Sequence, residues 1–183
     1  AVDDRDQELV RRCREGHTEA FNELVDRYQK PLYNVALRML NNGQDAEDVT
    51  QTVFCNAYVK LATYDPRYRF FSWIYRMTVN ESINCLKRGN REDPLDSALG
   101  TLEAKPDRSI DAVELEERVA NALTHLKPED RAVIILKHFL SFSYKEIGLI
   151  LEVPEKTVKS RLFTARRRLR DILLSKGMEG PNG

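Results

Sequence analysis

SYKEIGLILEVPEKTVKSRLFTARRRLRDILLS, residues 143–175, is the stretch around which the fold of this chain can be worked out. Ser143 and Glu146 have the spacing of a capping box, which predicts that a helix starts there. Pro154 cannot continue that helix but suits the first turn of another one. The stretch therefore predicts two helices joined by a tight turn.

The second of these helices is predicted to have an apolar stripe and a basic outer face. No acidic residue interrupts the run from Lys156 to Arg170. A basic helix after a short capped helix is typical of helix-turn-helix proteins, in which side chains reach base edges in the major groove and cations neutralise phosphates. The alternative is a helix whose basic residues only keep it soluble, but the capped partner and the turn favour DNA binding. The predicted core stripe is Val158, Leu162, Ala165, Leu169, Ile172 and Leu173.

Charge is balanced over the whole chain but unevenly distributed along it. The 183 residues include 29 Lys and Arg and 29 Asp and Glu, so the formal net charge is zero, which by itself argues against a nucleic-acid binder. Acidic residues are concentrated in the N-terminal part and the middle, whereas the last third carries the basic run. This asymmetry suggests two kinds of partner, one for each end.

The sequence also predicts a cytoplasmic protein. The first residues, AVDDRDQELV, are polar and acidic, unlike a signal peptide, and no apolar run is long enough to span a membrane. Cys13, Cys55 and Cys85 are far apart and lack CxxC spacing, which is typical of reduced thiols.

The N-terminal part is predicted to contain three helices before a loop. They cover residues 4–15, residues 18–40, and a stretch from a cap at Asp45 to about Thr63. In the third helix the apolar period directs Ala46, Val49, Val53, Ala57 and Leu61 inward, and Asp48, Gln51, Thr52 and Cys55 outward.

Neither a metal site nor another cofactor is predicted. The acids at Asp45, Glu47 and Asp48 lack a convergent histidine, and carboxylates are ordinary in a first helical turn. Cys13 and His17 would supply only two ligands, which do not make a site.

A loop, YDPRYRFFS at residues 64–72, precedes a fourth predicted helix that runs to about Arg88. Amides and cations beside aromatic rings suit single-stranded nucleic acid, since rings stack on bases, cations meet phosphates and amides reach base edges. Alternatively, Trp73 belongs to the core and the amides are merely solvated. For Trp73 alone, the core role and the nucleic-acid role both remain open. The loop and the helix together favour nucleic-acid binding. One helical stripe carries Trp73, Arg76, Asn80, Asn84 and Lys87.

Periodicity is lost from Gly89 to Ile110, where acids and two prolines predict an interdomain linker. Helices resume near Asp111 and again at Pro128, the latter continuing through Leu140. No strand-like alternation appears anywhere. The predicted fold class is therefore all-α, with two small helical domains at 1–90 and 113–178, an acidic linker at 91–112, and the helix-turn-helix in the C-terminal domain.

Three segments resemble the hallmark segments of bacterial sigma factors, in particular of the extracytoplasmic-function (ECF) group. They are DAEDVTQTVF (45–54), FFSWIYRMTVNESINCLKR (70–88) and SYKEIGLILEVPEKTVKSRLFTARRRLR (143–170). The resemblance implies that the N-terminal domain binds the clamp helices of the largest RNA polymerase subunit and opens the promoter at the minus-ten element. It implies that the C-terminal domain reads the minus-thirty-five duplex and touches the polymerase flap. An anti-sigma factor is a further implied partner.

The resemblance also assigns roles to individual residues. Polymerase would be contacted by Asp45, Asp48, Gln51 and Thr52. The minus-ten DNA would be bound by Arg67, Tyr68, Arg69, Phe70, Phe71, Ser72, Trp73, Arg76, Asn80, Asn84, Lys87 and Arg88. The minus-thirty-five DNA would be bound by Lys156, Thr157, Lys159, Ser160, Arg161, Phe163, Thr164 and Arg167. Three positions depart from frequent family residues: Thr52 (often Glu), Phe71 (often Arg) and Lys156 (often Gly).

Two other classes of protein compete with this interpretation. A free-standing helix-turn-helix regulator should bind duplex DNA tightly by itself at two-fold operators. An enzyme acting on nucleic acid, such as a recombinase, needs a nucleophile and an acid/base set, and neither is readable around His17, His125 and His138. A sigma factor should bind core polymerase and, without it, bind promoter DNA only weakly.

Overall fold

The computed structural model describes residues 2–89 and 110–177, which are helical apart from short connections. Neither described range contains a β-strand, so the all-α prediction is confirmed. The N-terminal domain consists of α1 (Val2–Arg14), α2 (Glu19–Leu40), α3 (Gly43–Lys60) with a 3-10 turn at Leu61–Thr63, and α4 (Phe70–Gly89). The C-terminal domain consists of α5 (Ile110–Thr124), α6 (Pro128–Ile134) with a π-helical continuation at Ile135–Phe139, α7 (Tyr144–Leu151) and α8 (Glu155–Gly177).

Most of the predicted acidic linker, 91–112, lies outside the described residues. Helix α5 begins at Ile110, next to Asp111, where a helix was predicted to resume. The extent of each domain otherwise remains a prediction.

The corner between α2 and α3 differs from the prediction because Asn42, and not Asp45, caps the third helix. The Asn42 side-chain oxygen accepts a hydrogen bond from the Asp45 amide at 3.0 Å. Asn41 ends α2 in the left-handed conformation, with φ of 53°, which asparagine tolerates better than most residues. Asp45 therefore sits within the first turn of α3, where a carboxylate is favourable to the helix dipole.

The N-terminal core forms where the apolar faces of α2, α3 and α4 meet. All five residues predicted to face inward from α3 are buried: Ala46, Val49, Val53, Ala57 and Leu61. One carboxylate is also buried, that of Asp6, and it accepts hydrogen bonds from Arg27 at 2.6 Å and from the Tyr28 hydroxyl at 2.5 Å. Burial and the bond to Asp6 raise the pKa of Tyr28 far above its ordinary value, so the hydroxyl keeps the proton that it donates to Asp6.

The helix-turn-helix forms as predicted. Ser143 and Glu146 make a complete capping box, with the Glu146 amide 3.2 Å from the Ser143 hydroxyl and the Ser143 amide 2.8 Å from the Glu146 carboxylate. The Pro154 carbonyl accepts from the Val158 amide at 3.1 Å as α8 begins. In the predicted stripe of α8, Val158, Leu162 and Ala165 are buried, whereas Leu169, Ile172 and Leu173 are half-buried.

Gly148 is the position in this turn where a side chain does not fit. A Cβ at Gly148 would lie 2.8 Å from the Val153 carbonyl oxygen, a backbone atom that cannot swing away. We expect Gly148→Ala to lower the free energy of unfolding by about 1–3 kcal/mol, as overpacking does in other tight sites. Urea denaturation measures the change. The matched control is Gly89→Ala, which meets no atom within 4 Å and should be neutral or slightly stabilising; equal stability of the two variants would contradict the close approach.

The two domains pack directly against each other. Helix α2 contacts α5, α6 and the π-helical segment, and α4 contacts α6 and α7. As a result the buried apolar residues of both domains form one continuous cluster. This packing brings α4 and α8, the two helices predicted to meet DNA, to the walls of one cleft.

Candidate polymerase and nucleic-acid interfaces

The outer face of α3 presents the polar residues predicted to contact polymerase. Asp48, Gln51 and Thr52 are exposed, and Asp45 is half-buried. Beside them an open groove of about 770 Å³ runs between α2 and α3, with Val25, Tyr33 and Phe54 among its lining residues. Gln51 lies on its edge. The sequence did not reveal this groove, because its lining is divided between α2 and α3 and the period of each helix alone does not show how the two pack together.

The loop before α4 is held from inside the N-terminal domain. Arg14 of α1 donates to the Leu61 carbonyl at 3.0 Å and to the Tyr64 carbonyl. The Tyr64 ring is buried, and its hydroxyl donates to the Tyr68 carbonyl. Asp65 accepts from the Arg67 amide at 3.0 Å. Because these bonds fix the backbone, the loop presents exposed side chains of Arg67, Tyr68 and Arg69 at its tip.

One of these arginines, Arg67, forms an ion pair with Asp65. The Arg67 guanidinium lies 2.6 Å from the Asp65 carboxylate, although the Arg67 side chain is 85% exposed. The hydrogen bond from Arg67 lowers the pKa of Asp65. At this exposure the pair is weak, so a phosphate could replace Asp65 as the partner of Arg67.

The loop is shorter than predicted, because α4 begins at Phe70 and not after Ser72. Phe70 is 1% exposed and packs among aromatic rings, 5.5 Å from Tyr28 and 5.9 Å from Tyr64 between centroids. Ser72 is also buried, and its hydroxyl donates to the Arg69 carbonyl at 2.8 Å. In this conformation neither Phe70 nor Ser72 offers a surface to a DNA strand, so both are packing residues here.

Trp73 has features of both roles considered for it, a core residue and a residue that stacks on bases. Its ring centroid is 5.1 Å from that of Tyr64 and 5.7 Å from that of Phe70, so one side belongs to the aromatic cluster. The residue as a whole is only half-buried. The aromatic cluster thus packs against one side of the indole and leaves part of the remaining surface accessible.

The polar stripe of α4 divides into two parts. Toward its C-terminal end Asn80, Asn84, Lys87 and Arg88 are exposed, and Arg88 pairs with Glu81 at 3.0 Å. Toward its N-terminal end the predicted DNA-binding residues Arg76 and Phe71 contact the C-terminal domain. Arg76 pairs with Glu152 at 3.0 Å, and the Phe71 ring lies 5.7 Å from that of Phe142.

The predicted recognition face of α8 is mostly exposed. Lys156, Lys159, Ser160, Phe163, Thr164 and Arg167 are exposed, and Thr157 is half-buried. Arg161 is half-buried and lines the cleft of about 410 Å³ that also includes Asn80, Asn84 and Lys87 of α4. The structure therefore places one predicted minus-thirty-five residue beside three predicted minus-ten residues.

The arginine run in α8 is split between two tasks. Arg168 pairs with Asp130 of α6 at 2.6 Å, and Arg166 donates to His138 at 3.0 Å. Burial, with the nearby Arg166 charge, lowers the pKa of His138, which suits its role as the acceptor. Arg166 and Arg168 thus anchor α8 to its own domain, while Arg167 between them points outward.

The family model for Sigma-70 region 2 matches residues 24–92, and that for Sigma-70 region 4 matches residues 116–169. The chain is 30% identical over 176 residues to the ECF RNA polymerase sigma factor SigW of Bacillus subtilis (strain 168), covering 90% of this chain and 94% of that protein. The chain belongs to the ECF sigma factors. It is also 33% identical over 177 residues to the ECF RNA polymerase sigma-E factor of Escherichia coli (strain K12), covering 90% and 92% of the two chains.

The fold of this sigma factor is similar to that of CnrH, solved in complex with the cytosolic domain of CnrY. The TM-score is 0.71 at 27% sequence identity, over 93% of this chain and 98% of that one. This sigma factor is thus a promoter-directing transcription initiation factor and not an enzyme. A free-standing regulator or a recombinase would leave the region 2 match unexplained. Among residues 2–89 and 110–177, no helix has the length and hydropathy that crossing a bilayer requires.

Proposed function

We propose that this sigma factor binds core RNA polymerase through α3, holds the unpaired minus-ten strand on the loop at 64–69 and on α4, and reads the minus-thirty-five duplex with α8. The observation that carries the proposal is that three exposed polar surfaces of different chemistry lie on separate helices. The α3 surface is acidic and amide-bearing, the loop and α4 combine rings, amides and cations, and α8 is basic.

The α3 surface suits a protein partner better than DNA. Asp48 and Gln51 are exposed beside an apolar groove, and a polar rim around an apolar centre is typical of protein–protein interfaces. Carboxylates there would be repelled by phosphates. We therefore assign Asp45, Asp48, Gln51 and Thr52 to the polymerase clamp.

The minus-ten surface suits an unpaired strand. Tyr68 and the open side of Trp73 can stack on bases, Asn80 and Asn84 can reach base edges, and Arg67, Arg69, Lys87 and Arg88 can meet phosphates. Because Phe70 and Ser72 are buried, we assign them to the support of this surface and not to contacts with DNA.

The α8 surface suits a major groove. Its exposed side chains occupy the N-terminal half of the helix, which is the half that helix-turn-helix proteins place against base edges. We assign Lys156, Thr157, Lys159, Ser160, Arg161, Phe163, Thr164 and Arg167 to the minus-thirty-five element.

Its other partners and its location follow from this role. Transcription takes place beside the bacterial chromosome, so we assign the protein to the cytoplasm. We also infer a second protein partner, an anti-sigma factor that restrains it, since CnrH is seen with the cytosolic domain of CnrY. The acidic linker predicted at 91–112 would pass near the RNA exit path and the active site of polymerase.

Co-purification with core polymerase is the direct test. The tagged protein should bring down the polymerase subunits at near-equal stoichiometry, and the reconstituted complex should start run-off transcription from genomic fragments that core enzyme alone does not use. Tight binding of the protein alone to a two-fold duplex site, without polymerase, would instead establish the free-standing regulator.

Arg167 provides a test of the α8 assignment. Arg167→Ala removes an outward cation without disturbing the buried stripe. If Arg167 meets phosphate, holoenzyme binding should weaken for all sequences and the salt slope should fall by about one. If it meets guanine, the loss should be about 1–3 kcal/mol and confined to one base pair.

The control for this variant lies one turn further along the helix. Arg170 is also exposed but pairs with Asp171 at 3.6 Å beyond the predicted reading half, so Arg170→Ala should bind promoter DNA almost normally. Electrophoretic mobility shifts over a salt series separate the outcomes. Unchanged binding by Arg167→Ala would mean that this face of α8 points away from DNA.

A further inference from the structure

One side chain of α1 holds the end of α3. The Arg14 guanidinium donates through Nε to the Leu61 carbonyl at 3.0 Å. Its Nη2 donates to the carbonyls of Ala62, at 3.4 Å, and of Tyr64. A helix C-terminus leaves carbonyls without partners and carries partial negative charge, so a cation is favourable there. Because these carbonyls span the 3-10 turn and the residue after it, Arg14 fixes the point at which the chain leaves α3 for the loop.

The other arginines in the last turn of α1 have different partners. Arg11 pairs with Glu8 at 2.6 Å, and Arg12 pairs with Glu19 at 3.2 Å. These pairs stay on α1 or reach the start of α2. The bonds of Arg14 go to backbone oxygens about fifty residues further along the chain. A guanidinium presents its donors in a rigid planar fork, which suits it to several oxygens at once.

Tyr64 connects the Arg14 contact to the rest of the loop. The Tyr64 side chain is buried, and its ring centroid is 5.8 Å from the Arg14 guanidinium carbon. The Tyr64 hydroxyl donates to the Tyr68 carbonyl on the other side of the loop. The Tyr64 ring centroid also lies 5.1 Å from that of Trp73. One residue held by Arg14 therefore contacts both the loop tip and the indole that follows it.

A second side chain of α1 reaches the tip of the loop. Gln7 donates to the Pro66 carbonyl at 3.5 Å, a long bond. Pro66 is part of a tight turn that is closed by a bond from the Tyr68 amide to the Asp65 carbonyl at 3.1 Å. Gln7 and Arg14 are seven residues apart, so they lie on the same face of α1. The loop thus rests on one face of α1, with Arg14 at its start and Gln7 at its tip.

A loop that is ordered before the strand arrives binds the strand more tightly. Fixing the backbone of a flexible residue costs conformational entropy, and a preorganised surface does not lose binding free energy in this way. The loop side chains assigned to the strand, Arg67, Tyr68 and Arg69, are exposed. The order of their backbone therefore depends on the groups beneath them, and Tyr64 with its bond to Arg14 is the buried part of that support.

We propose that Arg14 is a positioning residue for strand capture: through Tyr64 it holds the loop at 64–69 in the conformation that receives the unpaired minus-ten strand. This inference rests on the proposed function of the loop. Arg14 lies outside residues 24–92, which the region 2 model matches, so the family match does not account for it. Without Arg14 the strand itself has to order the loop, and its affinity should fall about tenfold.

The test uses substitutions of Arg14 and of its partner in the loop. Arg14→Met keeps a similar length and removes every donor, whereas Arg14→Lys keeps the charge and an ammonium that can donate to carbonyls. Tyr64→Phe keeps the ring and removes the hydroxyl bonded to the Tyr68 carbonyl. The matched control is Arg12→Met, which removes a cation from the same turn of α1 and breaks the pair with Glu19. Circular dichroism should show equal helicity in all of these proteins.

The first measurement is the fluorescence of Trp73 in the full chain without polymerase. The chain contains one tryptophan, so its emission reports directly on the indole beside the loop. Arg14→Met should shift the emission to longer wavelength and increase quenching by acrylamide, because the indole loses its contact with a fixed Tyr64 ring. Arg12→Met should emit like the parent.

The second measurement is made on the complex with core polymerase. Fluorescence anisotropy gives the affinity for a labelled single-stranded oligonucleotide, the nontemplate minus-ten strand of a promoter that the holoenzyme opens. Arg14→Met should bind this strand about tenfold more weakly than the parent, Arg14→Lys within about threefold and Arg12→Met within about twofold. Adding Tyr64→Phe to Arg14→Met should cause no further loss, because the two side chains act through the same contact. Affinity for core polymerase should be unchanged in every variant.

Four outcomes would overturn the proposal. Parent-like emission or parent-like strand affinity of Arg14→Met would mean that Arg14 does not hold the loop or that the strand does not need it held. Equal losses of core and strand affinity would make Arg14 a residue of general structural importance. A slope of log affinity against log salt concentration that is smaller by about 0.7 would make Arg14 a direct phosphate contact.

Failure of the proposed function gives a different result. In that case the parent complex itself does not bind the strand, which contradicts the minus-ten role of the loop and positioning for the strand with it. The emission of Trp73 still reports whether Arg14 holds the loop, so the two failures can be told apart.

Discussion

Replacing both Asn80 and Asn84 with alanine is expected to abolish open-complex formation on the cognate promoter while leaving core binding and minus-thirty-five recognition nearly unchanged. Both amides are exposed on α4, on the same stripe as Trp73. Stacking of a base on an aromatic ring contributes about 1–3 kcal/mol, which helps to hold a strand but does not select it. The selection must come from groups that reach base edges, as these two amides can.

Permanganate reactivity of unpaired thymines measures the effect on two templates. One is the native duplex, and the other carries a minus-ten region that is already mismatched. Failure of the double variant on the duplex with recovery on the mismatched template would assign the amides to melting. Failure on both would assign them to recognition of the single strand, which is the outcome we expect.

The matched control is Asn22→Ala, at an exposed asparagine of α2 outside all three proposed surfaces. It should open the promoter like the parent. If the Asn80→Ala/Asn84→Ala protein also melts the native duplex like the parent, the amides are only solvated residues of a structural helix. Circular dichroism should show equal helicity in all three proteins.

Charge reversal at Asp48 combined with Gln51→Ala is expected to weaken binding to core polymerase by about 2–5 kcal/mol, the usual loss when one partner of a charge pair buried at an interface is removed. That range corresponds to roughly 30-fold to several-thousand-fold in the dissociation constant. Both side chains are exposed in the free protein, so Asp48→Lys/Gln51→Ala should fold normally.

Fluorescence titration of labelled core polymerase measures this loss. The control is Glu114→Lys, which reverses another exposed charge, on α5, and should leave the affinity within about twofold, because a single exposed charge changes long-range attraction only slightly at physiological salt. Unchanged affinity of the Asp48→Lys/Gln51→Ala protein, with unchanged helicity, would remove α3 from the polymerase interface.

Local pattern was enough to predict most helices and the direction of their faces. The apolar period of α3 predicted its buried residues correctly, because in a helix that period fixes which side chains share a face. The capping box at Ser143 was also readable, since its partners are three residues apart. The start of α3 could not be predicted in this way, because Asn42 and Asp45 are both good capping residues and only the backbone geometry shows which of them caps the helix.

The aromatic loop shows where local pattern ceases to be informative. Phe70 and Phe71 are adjacent and chemically identical, yet Phe70 is buried in the N-terminal core while Phe71 packs on Phe142 of the other domain. Sequence period indicates which face a ring occupies but not what lies opposite it. Phe142 is about seventy residues away from Phe71 along the chain, and no local rule predicts a contact over that separation.

The sequence alone determined that this is an all-α, two-domain sigma factor, because helical period, capping and three ordered motifs are properties of neighbouring residues. Tertiary structure alone decided that Arg166 and Arg168 anchor α8 while Arg167 between them faces outward, and that Arg76 caps a helix of the other domain. The physical reason is that a cation's role depends on which oxygen or nitrogen atoms it meets. Those atoms belong to helices that are distant in sequence and are brought together only by the burial of the shared core.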